Sequence, residues 1–145
     1  MRMTVESQTA SDVVSPTGTV VGAPRIWLLL EGLTLFVGSL VAFSTTHQSW
    51  WLVLLVLLVP DVFAVGYAFG TRIGAHLYNL AHATPLPALV VGIGWWQDRS
   101  IVLALGIIWF AHIGMDRMLT FGLKYPDNSH HTHLSSATQR QHQKA

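Results

Sequence analysis

The chain contains no cysteine, which excludes disulfides, iron–sulfur clusters and thiolate zinc sites. It is also poor in charge. Asp, Glu, Lys and Arg make up only 10% of the 145 residues, against 51% hydrophobic, where soluble domains carry about a quarter charged residues. A net charge of +1 offers no basic surface for nucleic acid. Common catalytic motifs are missing as well: HExxH, GxSxG, a Walker A loop and GxGxxG do not occur. In place of the E-x-x-H pair of di-iron bundles the chain reads Asn79-x-x-His82. What is left is an apolar chain whose natural partner is a lipid bilayer, with eight histidines as its notable nitrogen ligands. Protein partners and oligomeric state have no signature.

Residues 1–23 are rich in Ser, Thr, Gly and Val without periodicity and read as a disordered N-terminal tail. The first apolar run begins too late for a secretory leader. Residues 24–125 read as a four-helix membrane domain, with helices near Ile26–Ser44, Trp50–Phe69, Leu77–Trp96 and Ile101–Phe121. Each run suits a span of ~20 residues. Pro85 and Pro87 remove backbone donors, so the third helix is expected to kink or break near Ala83. Gly66, Gly70 and Gly74, spaced by four, allow a neighbouring backbone to come close. Residues 126–145 form a polar, His-rich C-terminal tail, in which His130, His131 and His133 read as solvated side chains rather than a metal site. The expected fold is an all-α, four-helix transmembrane bundle.

Orientation follows from the basic residues. Arg2, Arg25, Arg72, Lys124, Arg140 and Lys144 fall on the side of both termini, whereas the opposite side has Arg99. The positive-inside rule therefore places both termini in the cytoplasm of a cell-membrane protein. Trp50, Trp51, Trp95 and Trp96 fall at the opposite ends of helices two and three, where an aromatic belt belongs.

The informative stretch is Ala111–Tyr125, AHIGMDRMLTFGLKY. His112 and Asp116 are four residues apart and share a helical face. Counting ~1.5 Å per residue from the cytoplasmic ends, Glu31, Asp61, Tyr78, Asn79, His82, His112 and Asp116 come to similar depth in the inner half. A charge facing lipid costs roughly 2.5–3.5 kcal/mol, so these groups are expected to face a common interior.

The segments LEG (Leu30–Gly32), PD (Pro60 and Asp61), GY (Gly66 and Tyr67), YNLAH (Tyr78–His82), AHIGMDR (Ala111–Arg117), GLKY (Gly122–Tyr125) and THL (Thr132–Leu134), taken in order with Gly74, resemble the DUF4260 family of small multi-pass membrane proteins. The resemblance covers about Arg25–Leu134. It implies a multi-pass membrane fold and brings no established activity.

Three functional readings stay open. In the first, Asp61, His82, His112 and Asp116 are metal ligands for a divalent ion or acid–base groups, and Tyr78, Asn79 and Arg117 bind substrate, Arg117 holding an anionic group. Glu31 supports that layer. In the second, the polar layer only fixes helix packing in a structural or partner-binding protein. In the third, ranked well below, His82 and His112 are axial haem ligands; the carboxylates argue against a haem slot.

Overall fold

The computed structural model describes residues 18–127 and 130–134. The tail expected over residues 1–23 lies outside them up to residue 17, as does the chain beyond residue 134. Five α-helices and one 3₁₀ helix follow in order: α1 (Gly22–Ser44), α2 (Trp51–Val56), the 3₁₀ helix (Val59–Phe69), α3 (Thr71–His82), α4 (Pro85–Trp96) and α5 (Ser100–Met118). The fold is all-helical, and an isolated antiparallel bridge pairs Lys124 with Thr132. Three segments are long and apolar enough to cross a membrane: Gly22–Ser44, Trp51–Phe69 and Ser100–Met118.

Proline explains where the helices depart from the expected boundaries. Pro60 has no N–H for the carbonyl four residues earlier, and its ring disfavours α geometry in the residue before it. The second run therefore is not one α-helix: α2 stops at Val56 and the chain continues as a 3₁₀ helix with Asp61 in its first turn. The third run divides into α3 and α4, with Ala83 in extended geometry between them (φ −92°, ψ 144°) and Pro85 opening α4. Its first half starts at Thr71, six residues before the expected Leu77. Arg72 and His76 make that turn too polar to register as a span.

The break at Ala83 leaves a carbonyl to satisfy. In a continuous helix the Ala81 C=O would accept from residue 85, which is proline. Trp109 Nε1 on α5 donates to it instead, at 2.6 Å.

Two sets of helices pack closely. α1 and α4 lie along α5, and α3 lies along the 3₁₀ helix. Glycine permits both approaches: a Cβ on Gly114 would sit 2.4 Å from the Phe36 backbone nitrogen, and one on Gly74 would sit 2.4 Å from the Tyr67 ring. By contrast, α3 and α5 make little backbone approach to one another. Long side chains bridge them.

Both ends of the described chain meet at one end of the molecule. Tyr125 OH donates to the Gly18 carbonyl (2.9 Å), the Val20 N–H to the His133 carbonyl (2.9 Å) and Arg25 Nε to the Leu134 carbonyl (3.3 Å). The far end is tied by Gln48 Nε2 donating to Ser100 Oγ (3.1 Å). Near that far end Phe43, Val53, Ala104 and Ile108 form the apolar core.

α5 ends three residues before the expected Phe121, in a Schellman turn. The Phe121 N–H donates to the Asp116 carbonyl (2.8 Å) and the Thr120 N–H to the Arg117 carbonyl (3.1 Å), with Thr120 at φ 72°. The turn sends residues 122–125 back over α3, where residues 131–134 pair with them. His133 N–H donates to the Leu123 carbonyl (3.1 Å), and Leu134 is fully buried. This stretch is packed against the fold, contrary to the expectation of a solvated tail.

Candidate metal centre

Four of the expected residues converge. Asp61 comes from the start of the 3₁₀ helix, His82 from the last position of α3, and His112 and Asp116 from successive turns of α5. One ligand atom from each lies within 4.8 Å of all the others. His82 Nε2 is 3.0 Å from His112 Nε2, 3.4 Å from Asp61 Oδ1 and 3.4 Å from Asp116 Oδ2. His112 Nε2 is 3.7 Å from each of the same two oxygens. A tetrahedral ion with bonds of ~2.0–2.2 Å sets its ligands about 3.3–3.6 Å apart. The five separations scatter around that edge length.

His82 Nδ1 lies 2.7 Å from the Tyr78 carbonyl, an acceptor, so Nδ1 carries the hydrogen. In neutral His82 the Nε2 lone pair then points at two carboxylate oxygens and a second imidazole nitrogen. Such a gathering of acceptors requires a cation or shared protons at its centre. The Nδ1–H to carbonyl bond is also the outer support that metal-binding histidines use. Asp116 has support of the same kind, since Tyr78 OH donates to its Oδ2 at 3.1 Å. His112 is completely buried and its Nδ1 has no partner.

The surroundings are asymmetric. The Asp61 side chain is 49% exposed, against 4% for His82 and 0% for His112. On the other flank a small, partly open space of about 10 Å³ is bordered by His82, Asp116, Arg117, Phe121 and Leu123; that is about the room one water needs.

Tyr78 touches the cluster directly, and Asn79 holds Lys124 beside it. The Tyr78 ring stacks on His82 with centroids 3.6 Å apart. Asn79 grips the backbone of Lys124, its Nδ2 donating to the Lys124 carbonyl (2.8 Å) and its Oδ1 accepting the Lys124 N–H (2.7 Å). Glu31 is not brought in. It stands on an exposed face of α1, along a groove of about 610 Å³ shared with Ser39, Val91, Ile107 and Phe110. Depth alone does not fix the direction in which a side chain leaves a helix. Arg117 borders the small space while its stem packs on α1, where a Cβ on Gly32 would come within 2.7 Å of the Arg117 Cβ.

The haem reading fails on geometry. Axial imidazoles must face each other across the full porphyrin disc, and two Nε2 atoms 3.0 Å apart leave no room for one. In the tail, His131 Nδ1 pairs with Asp127 Oδ2 at 2.8 Å, an acidic neighbour that the sequence reading passed over.

Lys124 is the residue that sequence reasoning missed as a site component. Its ammonium lies 3.9 Å from the Tyr78 ring centroid and 5.2 Å from that of Tyr67. Burial pushes its pKa below the usual lysine range, while the carboxylates of Asp116 and Asp61 act the other way. The one available signal was GLKY just after the helix, which carries no hint of its non-local partner Asn79.

The family described as Domain of unknown function (DUF4260) matches residues 25–137. No curated protein and no solved structure matches the chain.

Proposed function

The chain belongs to the DUF4260 family, and we propose that it is a multi-pass cell-membrane protein whose Asp61, His82, His112 and Asp116 hold one divalent metal ion for metal-assisted hydrolytic or acid–base chemistry. The observation that carries this reading is the convergence of His82 Nε2, His112 Nε2 and two carboxylate oxygens at separations of 3.0–3.7 Å, with His82 fixed in the tautomer that aims a lone pair inward. Two nitrogen and two oxygen ligands suit zinc, iron or manganese. When bound, such an ion supplies Lewis acidity.

The chain's own residues do the rest. Tyr78 orients His82 through its carbonyl and Asp116 through its hydroxyl. The half-exposed Asp61 is the ligand on the approachable side and the group best placed to exchange a proton with a reactant. Metal analysis after mild detergent extraction tests the reading: about one ion per chain, reduced in His82→Ala and His112→Ala, is expected. Wild-type protein that takes up none of zinc, iron or manganese overturns it.

The same reading puts both termini in the cytoplasm. The contact between the two ends of the described residues supports a shared side, the one-sided basic residues support the cytoplasmic one, and Trp51 and Trp96, 72% and 84% exposed at the far end, suit the opposite interface. A cysteine placed at Gln97 should label from outside the cell. Labelling only from the cytoplasm overturns the orientation.

A further inference from the structure

Lys124 is held as a site residue is held, and its ammonium feels the carboxylates of Asp116 and Asp61 without pairing with either. Its backbone N–H and carbonyl are both taken by the Asn79 side-chain amide, and its neighbours Tyr125 and Leu123 bond to His131 and His133 across the bridge to Thr132. Its ammonium makes no ion pair among the described residues; the pairs found there all involve histidine. It rests on the Tyr78 ring at 3.9 Å. His82 stacks on that ring at 3.6 Å, so the two occupy opposite faces.

Tyr78 OH, at the rim of the same ring, bonds Asp116. Lys124 also reaches Tyr67, which lies on the 3₁₀ helix with Asp61. The carboxylates of Asp116 and Asp61 both act on this ammonium, whereas Arg117 borders a space of only about 10 Å³.

Charge then selects the ligand. The carboxylates of Asp61 and Asp116 balance a divalent ion, and the histidines are neutral when they ligate. The positive charge of Lys124 is left over in a half-buried position, where an uncompensated charge is costly. An anionic ligand offsets it. A phosphate monoester carries about 1.5 to 2 negative charges at pH 7 and presents separate oxygens to an ion and to an ammonium, for which lysine serves as a point-charge partner.

We infer that Lys124 binds the anionic group of the substrate and that this group is a phosphate ester, either in a soluble molecule or in a lipid headgroup. The inference rests on the metal reading above, and the experiment separates the two. Full-length protein in detergent is saturated with Zn²⁺, and binding of glycerol 1-phosphate is measured by calorimetry. A parallel arm measures binding of the Zn²⁺-loaded protein to phosphatidic acid, with phosphatidylcholine as the reference.

Lys124→Gln should leave Zn²⁺ affinity unchanged or tighter. It should weaken phosphate-ester binding about 10- to 100-fold, the range for a hydrogen bond to a charged group. Lys124→Arg, which keeps the charge, should stay within about threefold of wild type and guards against misfolding as the cause. Binding in the soluble arm or in the lipid arm assigns the source, and either supports the inference. Zn²⁺ binding with no phosphate-ester binding, or with ester affinity equal in wild type and Lys124→Gln, overturns this inference alone. No Zn²⁺ binding in wild type overturns the metal reading together with it.

Discussion

Replacing Asp116 with Asn changes one ligand and little else. The amide keeps a carbonyl oxygen that can accept from Tyr78 OH, now at 3.1 Å from Oδ2, so the link between α3 and α5 survives. What goes is the negative charge near two buried imidazoles. An ion that binds only the folded state stabilises it by ~2.7 kcal/mol at a hundredfold excess over Kd. For a chain of this size that is about 8 °C in melting temperature.

Loss of one of four ligands should weaken the ion by at least ~100-fold, since even outer-shell changes cost 10- to 100-fold. At the same ion concentration the increment then falls to ~0.4 kcal/mol, about 1 °C. The assay is a pair of thermal melts in detergent, after chelation and after reloading, for both proteins. The chelated variant should melt no lower than chelated wild type, because a buried charge without its counter-ion has been removed. An equal ion-dependent shift in the two proteins refutes the metal reading and leaves the cluster as packing.

Further outcomes are expected elsewhere. Trp109→Phe keeps the ring but removes the donor to the Ala81 carbonyl, and should cost about 1–2 kcal/mol in a melt; an unchanged melting temperature refutes the argument from the missing proline N–H. Thr120→Gly relieves a β-branched residue at φ 72° and should stabilise by about 1 kcal/mol, read from the same melt; destabilisation refutes it. His133 accepts the Leu123 N–H at 3.0 Å, and its pKa is lowered from 6.5, first by burial and also by nearby Arg117. A lowered histidine leaves stability intact above ~6.5 and withdraws it as pH falls from there through the folded value. The protection factor of the Leu123 amide, corrected for the intrinsic exchange rate, should therefore fall on acidification through that window, and a pH-independent protection factor refutes it.

Some of this was legible in the sequence and some could not be. His112 and Asp116 announce themselves by their spacing on one apolar helix, and the cost of intramembrane charge directs Asp61 and His82 towards them. Those arguments are local or energetic. Glu31 has the same depth signature but leaves α1 on another side, because depth counts rise along the axis and says nothing of rotation about it. The early start of α3 was hidden by Arg72 and His76, since a hydropathy reading discards a turn that is helical but polar. Lys124 was counted only as a basic residue for orientation. Its place over Tyr78 depends on an amide 45 residues away and on a turn whose αL residue is Thr120 rather than the expected glycine.

The weak backbone approach between α3 and α5 has a consequence in time. Synthesis runs from the N-terminus, so the hairpin of the 3₁₀ helix and α3 is complete before any of its partners on α5 exists. During that interval Asp61 and His82 have no ligand companions, and the Ala81 carbonyl has no Trp109. The close glycine contacts of α1 and α4 with α5 do not involve the hairpin and can form without it. Docking of the hairpin onto α5 uses the same side chains as the site. A chain that stalls at this step has α1, α4 and α5 packed but holds only the His112 and Asp116 half of the cluster.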